Sequence, residues 1–422
     1  MERILIPYGE ETVELTIPDG HPCQVLAPRP APAAPDAAAE IRRALAEPVG
    51  CAGLVEAARE ARSVVIAADD LTRQTPVELI IPLLLDEFNR AGVRDEQIRV
   101  LIALGTHRPM SQAEILAHFG AEVVRRVRVI NNPWQDPAEM VDLGLTPNGT
   151  PIEISRIALE ADFLIGVGSI VPHHIPGYGA GGKIVQPGLS GAATTGATHY
   201  LSTRTRRSYL GLVENPVRAE IDSIAARAGL KAILNVVLNP DGSLVRAFYG
   251  DFIAAHRAGA TLSRQVNGAE FSAQADIVVA GSHPCDIEFW QAHKSLYPAD
   301  ICVREGGTII LLTPCPEGVS VTHRGMLAFS ALDAARIDAL IQDGTIADRV
   351  SGALALAWAK VRERARICLV SGGITDDEAR QLAFEPFGGL QEALDAALRR
   401  HGPGASIHVL PYAPDTLPIL RA

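Results

Sequence analysis

Apolar residues fall in short runs separated by longer amphipathic stretches, and that alternation predicts the fold class. The runs Ser63–Ala68, Arg99–Leu104, Val127–Asn131, Asp162–Val167 and Ala232–Leu238 have the length and β-branched content of buried strands. Helical spacing covers Pro76–Arg90, Gln112–Phe119 and Pro216–Ala228. Ahead of them, RILIPYGEETVELTIP alternates apolar and polar residues on both sides of Gly9-Glu10, as a hairpin does. A Pro/Ala-rich stretch from Pro28 then leads to a helix around Ile41–Leu45. A second series follows a helix over Asp251–Val266. Its strands are Asp276–Ala280, Gly307–Leu312, Arg366–Val370 and Ser406–Leu410, with helices at Ile287–Lys294, Ala331–Gln342, Ala353–Arg364 and Leu390–His401. The expected class is α/β, with two domains, each a largely parallel sheet flanked by helices, and a cleft between them. The boundary is placed at Asn267-Gly268, giving units 1–267 and 268–422, with roughly the last 15 residues expected to return to the first unit.

Composition narrows the function. The chain has 422 residues, a net charge of -11 and no basic cluster, which argues against nucleic acid or an anionic membrane as partner. No apolar run approaches a membrane span and the opening residues lack an apolar signal core, so a cytoplasmic location is expected. Six cysteines without a CxxC pair read as buried or idle thiols.

Three polar clusters directly follow expected strands: Asp69-Asp70-Leu71-Thr72-Arg73, then Thr106-His107-Arg108, then His173-His174 with a glycine-rich segment. In open α/β sheets, ligands bind outside the carboxyl ends of strands, so these clusters meet at one edge. Each could instead be a helix cap, but all three being only caps is a poor account. His21, His118, His256 and His401 read as surface or packing residues, and His323 is intermediate.

From Pro172 to Tyr200 glycines are too dense for a regular helix or strand, and they would let backbone N–H groups approach an anion. Gly177–Lys183 fits GxxxxGK, but Ile184 stands where a magnesium-binding hydroxyl belongs. A phosphate-loop nucleotide-binding protein is therefore the alternative rather than the leading reading.

Taken together, DDLTR at Asp69–Arg73, GTHRP at Gly105–Pro109, PHHIPGYGAGGK at Pro172–Lys183, His199, and WQAHK at Trp290–Lys294 resemble the nickel-dependent lactate racemases across nearly the whole chain. The resemblance implies a 2-hydroxyacid racemase or epimerase that uses a nickel-pincer nucleotide (Ni(II) pyridinium-3,5-bisthiocarboxylate mononucleotide), joined to Lys183 as a thioamide. It implies His199 as nickel ligand, and His107 and His173 as acid and base on opposite sides of the substrate. Asp70, Leu71, Thr72 and Arg73 would contact cofactor, with Arg73, Trp290, Gln291, His293 and Lys294 around the substrate. The first unit would bind cofactor and the second would close on substrate. Cofactor-synthesis enzymes would be transient partners, and a non-catalytic cofactor carrier is a further alternative. Histidine suits both proton roles, while the cofactor carries the hydride chemistry.

Two departures from the family pattern bear on substrate. Trp290 stands where lactate-specific members have tyrosine, and His293 where they have an aliphatic residue. Trp290 loses a phenol hydroxyl, and His293 would add a donor or a positive charge. A bulkier or more polar 2-hydroxy acid than lactate is expected.

Overall fold

The computed structural model describes residues 2–421. Its frame is two six-stranded sheets with helices against them. The first runs, edge to edge, Leu244–Gly250, Leu230–Leu238, Phe163–Ser169, Val64–Ala68, Ile98–Ile102 and Arg128–Asn131. All neighbours pair parallel except the first two, which form a hairpin. The central strand Val64–Ala68 is buried at every position, so its sequence is a continuous apolar run rather than an alternating one. Helices such as Val77–Arg90 bury one stripe (Val77, Ile80, Ile81, Leu84, Leu85, Phe88) on the sheet.

The second sheet is wholly parallel: Glu385–Phe387, Ala365–Val370, Val303–Leu312, Ala275–Gly281, Ile407–Leu410 and Cys23–Val25. Its last strand comes from the opposite end of the chain. The hairpin Glu2–Tyr8/Glu11–Ile17 forms as expected, with Tyr8 opposite Glu11. However, its inner residues Ile4, Ile6, Leu15 and Ile17 pack against Ile277, Val279 and Ile310 of the second sheet. Residues 2–26 thus lie with the second unit, not in the expected unit 1–267. An apolar hairpin face specifies that it must be covered, not by which sheet. Near the other terminus, Leu417–Leu420 pairs with Gly268–Phe271, and Leu417 enters the core of the first unit beside Leu210.

Two further differences are local. The helix expected to end at Phe119 continues to Arg126 through a break at Gly120, whose φ is 77°. The glycine-rich segment does hold a helix, Ala192–Ser202. Gly196 lies inside it because a Cβ there would come within 2.9 Å of the Arg349 side chain on the neighbouring helix. The glycine serves close helix packing rather than breaking the helix.

Candidate active site

Chain order brings the three polar clusters together. The chain leaves Val64–Ala68, moves outward through Ile98–Ile102 and Arg128–Asn131, then returns to Phe163–Ser169 on the other flank. The strand carrying Asp69–Arg73 is therefore flanked by those carrying His107 and His173, at the reversal point where α/β sheets bind ligands. The second sheet repeats this arrangement: Ala275–Gly281 lies between Val303–Leu312 and the late strand Ile407–Leu410. Its loops face the first set. Between the two rims lies a cleft, lined by Asp70, Arg73, His107, His173, Lys183 and His199 from one side. Trp290, Gln291, His293 and Lys294 line it from the other.

On one wall, His107 Nδ1 lies 2.6 Å from Asp70 Oδ2. An ionised carboxylate only accepts, so Nδ1 carries the proton and Nε2 presents a lone pair. That lone pair receives the Gln291 side-chain N–H at 2.8 Å. Burial works to raise the Asp70 carboxyl, but His107, Arg73 and the Thr72 hydroxyl outweigh it and hold it far below the usual range. Gln291 Oε1 accepts from Lys294 Nζ and, at 3.5 Å, from Arg73. Burial, then the Arg73 charge, pushes the Lys294 amine down to about 8.

The other wall is dry and aromatic. His173 stacks on His174 at 4.7 Å, and His174 stacks on Tyr297 at 3.9 Å, with His293 edge-on at 5.1 Å. Burial first, then nearby cations, holds His173 well below its ordinary pKa. Its Nδ1 accepts from the Ile175 N–H at 3.2 Å, so the neutral ring carries its proton on Nε2. His107 and His173 thus rest as opposite tautomers, one presenting a lone pair and the other an N–H.

Lys183 ends the glycine segment in a short 3-10 turn, Gly181–Ile184. Burial, followed by the Arg73 and Lys294 charges, pushes its amine down to about 7 against the pull of Asp69. A large fraction is therefore the nucleophilic free base at neutral pH. His199, on the helix Ala192–Ser202, is pushed down to about 3 by burial and then by Lys183. Its Nδ1 is enclosed and makes no well-formed hydrogen bond, with only the Thr195 carbonyl one turn back favouring a proton there.

Several expectations need correction. The glycine N–H groups do not form a phosphate cradle: Gly179 donates to the Val171 carbonyl and Gly181 to Asn235 Oδ1. A Cβ at Gly181 would meet His256 at 2.8 Å, and one at Gly182 would meet Asp222 at the same distance. These glycines allow close packing of the loop rather than ligand approach. The buried Arg218 adds donors to the Pro176, Tyr178 and Ala180 carbonyls, fixing the segment that carries Lys183. Leu71 packs against the first core instead of lining the cleft, and the Thr72 hydroxyl is turned to Asp70. His293 adds no charge, since burial and then Lys294 hold it neutral.

Sequence reasoning missed several participants. His323 bonds Asp348 at 2.6 Å and Thr106 Oγ1 at 3.0 Å, and the Trp290 ring stacks on it at 4.1 Å. It therefore ties the second unit to the residue preceding His107. Tyr297 and Asp415 were also missed. Asp415 follows the strand Ile407–Leu410, so the strand-end rule could have found it. Among the described residues, no group of three or more His, Cys, Asp or Glu could by itself hold a metal, no helix is long and apolar enough to cross a membrane, and no cysteine is in a disulfide.

Known proteins share this arrangement. Residues 8–211 match the lactate racemase N-terminal domain and residues 271–415 the lactate racemase C-terminal domain. A lactate racemase of Lactiplantibacillus plantarum is 28% identical over 97% of this chain and 98% of its own length. One from Thermoanaerobacterium thermosaccharolyticum is 31% identical over 75% of this chain and 76% of its own. The solved lactate racemase apoprotein from T. thermosaccharolyticum superposes with a TM-score of 0.88 at 26% identity, covering 99% of this chain and all of that one. A Thermotoga maritima structure at 20% identity and a TM-score of 0.74 has the same fold. With both family domains present in order, the chain belongs to the lactate racemase family and is a racemase.

Proposed function

We propose that this racemase inverts C2 of a 2-hydroxy acid, with His107 and His173 handling the hydroxyl proton and Lys183 tethering a nickel-pincer nucleotide. The observation that carries this reading is the Gln291 carboxamide. Its oxygen sits between the Arg73 and Lys294 donors while its N–H points at His107 Nε2. A 2-hydroxy acid offers the same pattern, a carboxylate oxygen for the two cations and a hydroxyl donor for the imidazole. Gln291 then swings to hold the bound substrate from its flank.

The residues present fit the cofactor. The Lys183 Nζ makes no hydrogen bond and no close ion pair among the described residues, and its depressed pKa favours the free amine that acylation requires. His199 offers a neutral imidazole, the form that ligates nickel. With one such nitrogen on the protein side, the remaining ligands would come from the nucleotide itself. The chemistry such a group supplies when bound is reversible acceptance of hydride from Cα. The protein does the rest. Arg73 and Lys294 bind the carboxylate, the arginine fork fixing its plane. His107 Nε2 takes the hydroxyl proton, and Asp70 offsets the charge that develops on the ring. His173, reaching in from the opposite flank of the central strand, manages the proton for the other configuration. The first-sheet unit would hold the cofactor and the second-sheet unit would close over the substrate. The phosphate-loop alternative loses support because the N–H groups of Gly179, Gly181 and Lys183 are already bonded within the protein.

Co-expression with cofactor-making enzymes should give nickel and added mass on the Lys183 peptide, together with exchange of Cα deuterium in a 2-hydroxy acid panel. Lys183→Ala should lose adduct and exchange together; exchange surviving in that variant would defeat the tether.

A further inference from the structure

A second cavity adjoins the cleft and shares Arg73, Ser169, His173 and Lys294 as its wall. It borders the groups proposed to hold the substrate carboxylate. Most of its lining is apolar, including Val171, Pro172, Leu238, Pro284 and Pro414. The one acidic residue on that lining is Asp415, on the turn after Ile407–Leu410. Its carboxylate makes no hydrogen bond and no ion pair within 4 Å among the described residues, although Lys294, Arg73 and His283 face it from farther away. Apart from Ser169 on the shared wall, the neutral polar side chains are engaged or peripheral, the Thr72 hydroxyl being turned to Asp70. Asn239 bonds Ala31 and Ser243, Asn267 bonds Ser263, and Gln74 lies exposed at the rim. Asp415 is thus a half-buried carboxylate that borders the cavity without a hydrogen-bond or close ion-pair partner among the described residues, and a donor brought by the ligand would satisfy it.

We propose that this cavity is the substrate's tail subsite, and that Asp415 selects monocarboxylic 2-hydroxy acids bearing a further hydroxyl beyond C3. The inference rests on the proposed racemase reading of the main cleft. Three features of the cavity support it. The shared wall sets it beside the carboxylate-binding pair and His173, within reach of carbons after C2. Its apolar sides suit a carbon chain, and the single carboxylate at its end accepts from a hydroxyl. The same charge disfavours two other occupants. A dicarboxylic acid would bring like charge into a poorly solvated space, and so would the nucleotide phosphate.

The test compares kcat/KM of the cofactor-loaded enzyme for 2-hydroxybutanoate, 2,4-dihydroxybutanoate and malate, which share a four-carbon frame. The wild type should favour the diol over 2-hydroxybutanoate by about ten- to hundredfold, the worth of a hydrogen bond to a charged group. Malate should be the poorest. Asp415→Ala should erase the diol preference, kcat/KM for the diol falling to that for 2-hydroxybutanoate in the same variant, and Asp415→Asn should improve malate relative to the diol. Equal handling of diol and 2-hydroxybutanoate by wild type and Asp415→Ala would overturn the subsite yet leave the racemase reading intact. No exchange with any of the three acids, in enzyme carrying the Lys183 adduct, would count against the racemase reading instead. Calorimetry separates the two further, because it needs no turnover: 4-hydroxybutanoate should bind wild type more tightly than butanoate, and Asp415→Ala should bind both alike. Equal binding of both to wild type counts against the subsite.

Discussion

The two histidine walls of the cleft solve the same proton problem in opposite ways. His107 is held by a carboxylate and keeps about a fifth of its side chain exposed, so a proton arriving at Nε2 meets a compensating charge and some water. His173 is buried with its ring stacked on His174, which Tyr297 covers in turn; it accepts from the Ile175 backbone N–H and is surrounded by cations. Burial and the surrounding cations oppose a proton on the second. In the mechanism proposed above both are used, because each configuration presents its hydroxyl to a different side. The asymmetry therefore concerns which protonation form of the free enzyme is populated, not the overall equilibrium, which two enantiomers share equally. Acylation of Lys183, as proposed, would remove its ammonium from the charges around His173.

Removing either imidazole is the most severe way to break this comparison. His107→Ala and His173→Ala should each lower kcat about a hundred- to ten-thousandfold, as expected for a lost acid or base. Rescue should separate them. Added imidazole should restore His107→Ala, whose vacated space reaches solvent, far better than His173→Ala, whose space is sealed under His174. Equal rescue would mean that the walls do not differ in access.

A smaller loss is expected from Asp70→Asn, because the ring stays and only its partner changes. Asparagine can still accept from Nδ1, but it no longer offsets an imidazolium. The loss should be about ten- to hundredfold in kcat, on the scale of a charge-assisted hydrogen bond, with KM little moved. His173→Ala in the same background should then multiply rather than merge with this loss, since Asp70 does not touch that wall. A merged effect would place both groups in one network, contrary to the geometry.

The carboxylate-held wall was much more legible in the sequence than the aromatic one, and the reason is physical. Asp70, Arg73 and His107 follow buried strands directly, and a buried strand announces itself as an apolar run whose end must face the ligand edge. His173 was found by the same rule. Its environment was not, because the stack with Tyr297 and His293 joins residues more than a hundred positions apart on different sheets. Glycine density concealed the helix carrying His199, because Gly196 answers to packing against Arg349 rather than to local propensity. The seating of residues 2–26 on the second sheet was equally hidden. Cys23–Val25 pairs with Ile407–Leu410, and alternation of residue type cannot name a partner nearly four hundred positions away.

The smallest expected effect probes the cations between the walls. Lys183 has its pKa lowered from 10.5 to about 7 in the folded chain. Between those values the unfolded chain binds a proton at this position that the folded chain does not, so stability rises with pH across that window. Below about 7 both states are protonated and the cost of the buried charge is complete. Lys294, lowered to about 8, contributes with the same sign over a narrower range. Asp415, raised to about 6, acts in a separate window: its contribution falls as pH climbs from 3.8 towards 6. Measurement between pH 7 and 9 therefore isolates the lysines. The acidic chain also gains self-repulsion as pH rises, so the informative quantity is the difference between variants. In protein made without cofactor, the Tm of wild type relative to Lys183→Met should rise by about 2 °C over this interval. Parallel curves would mean that the amine is not held in the depressed state that the racemase reading needs. A cofactor-loaded wild type should follow the methionine variant, because an acylated lysine no longer titrates.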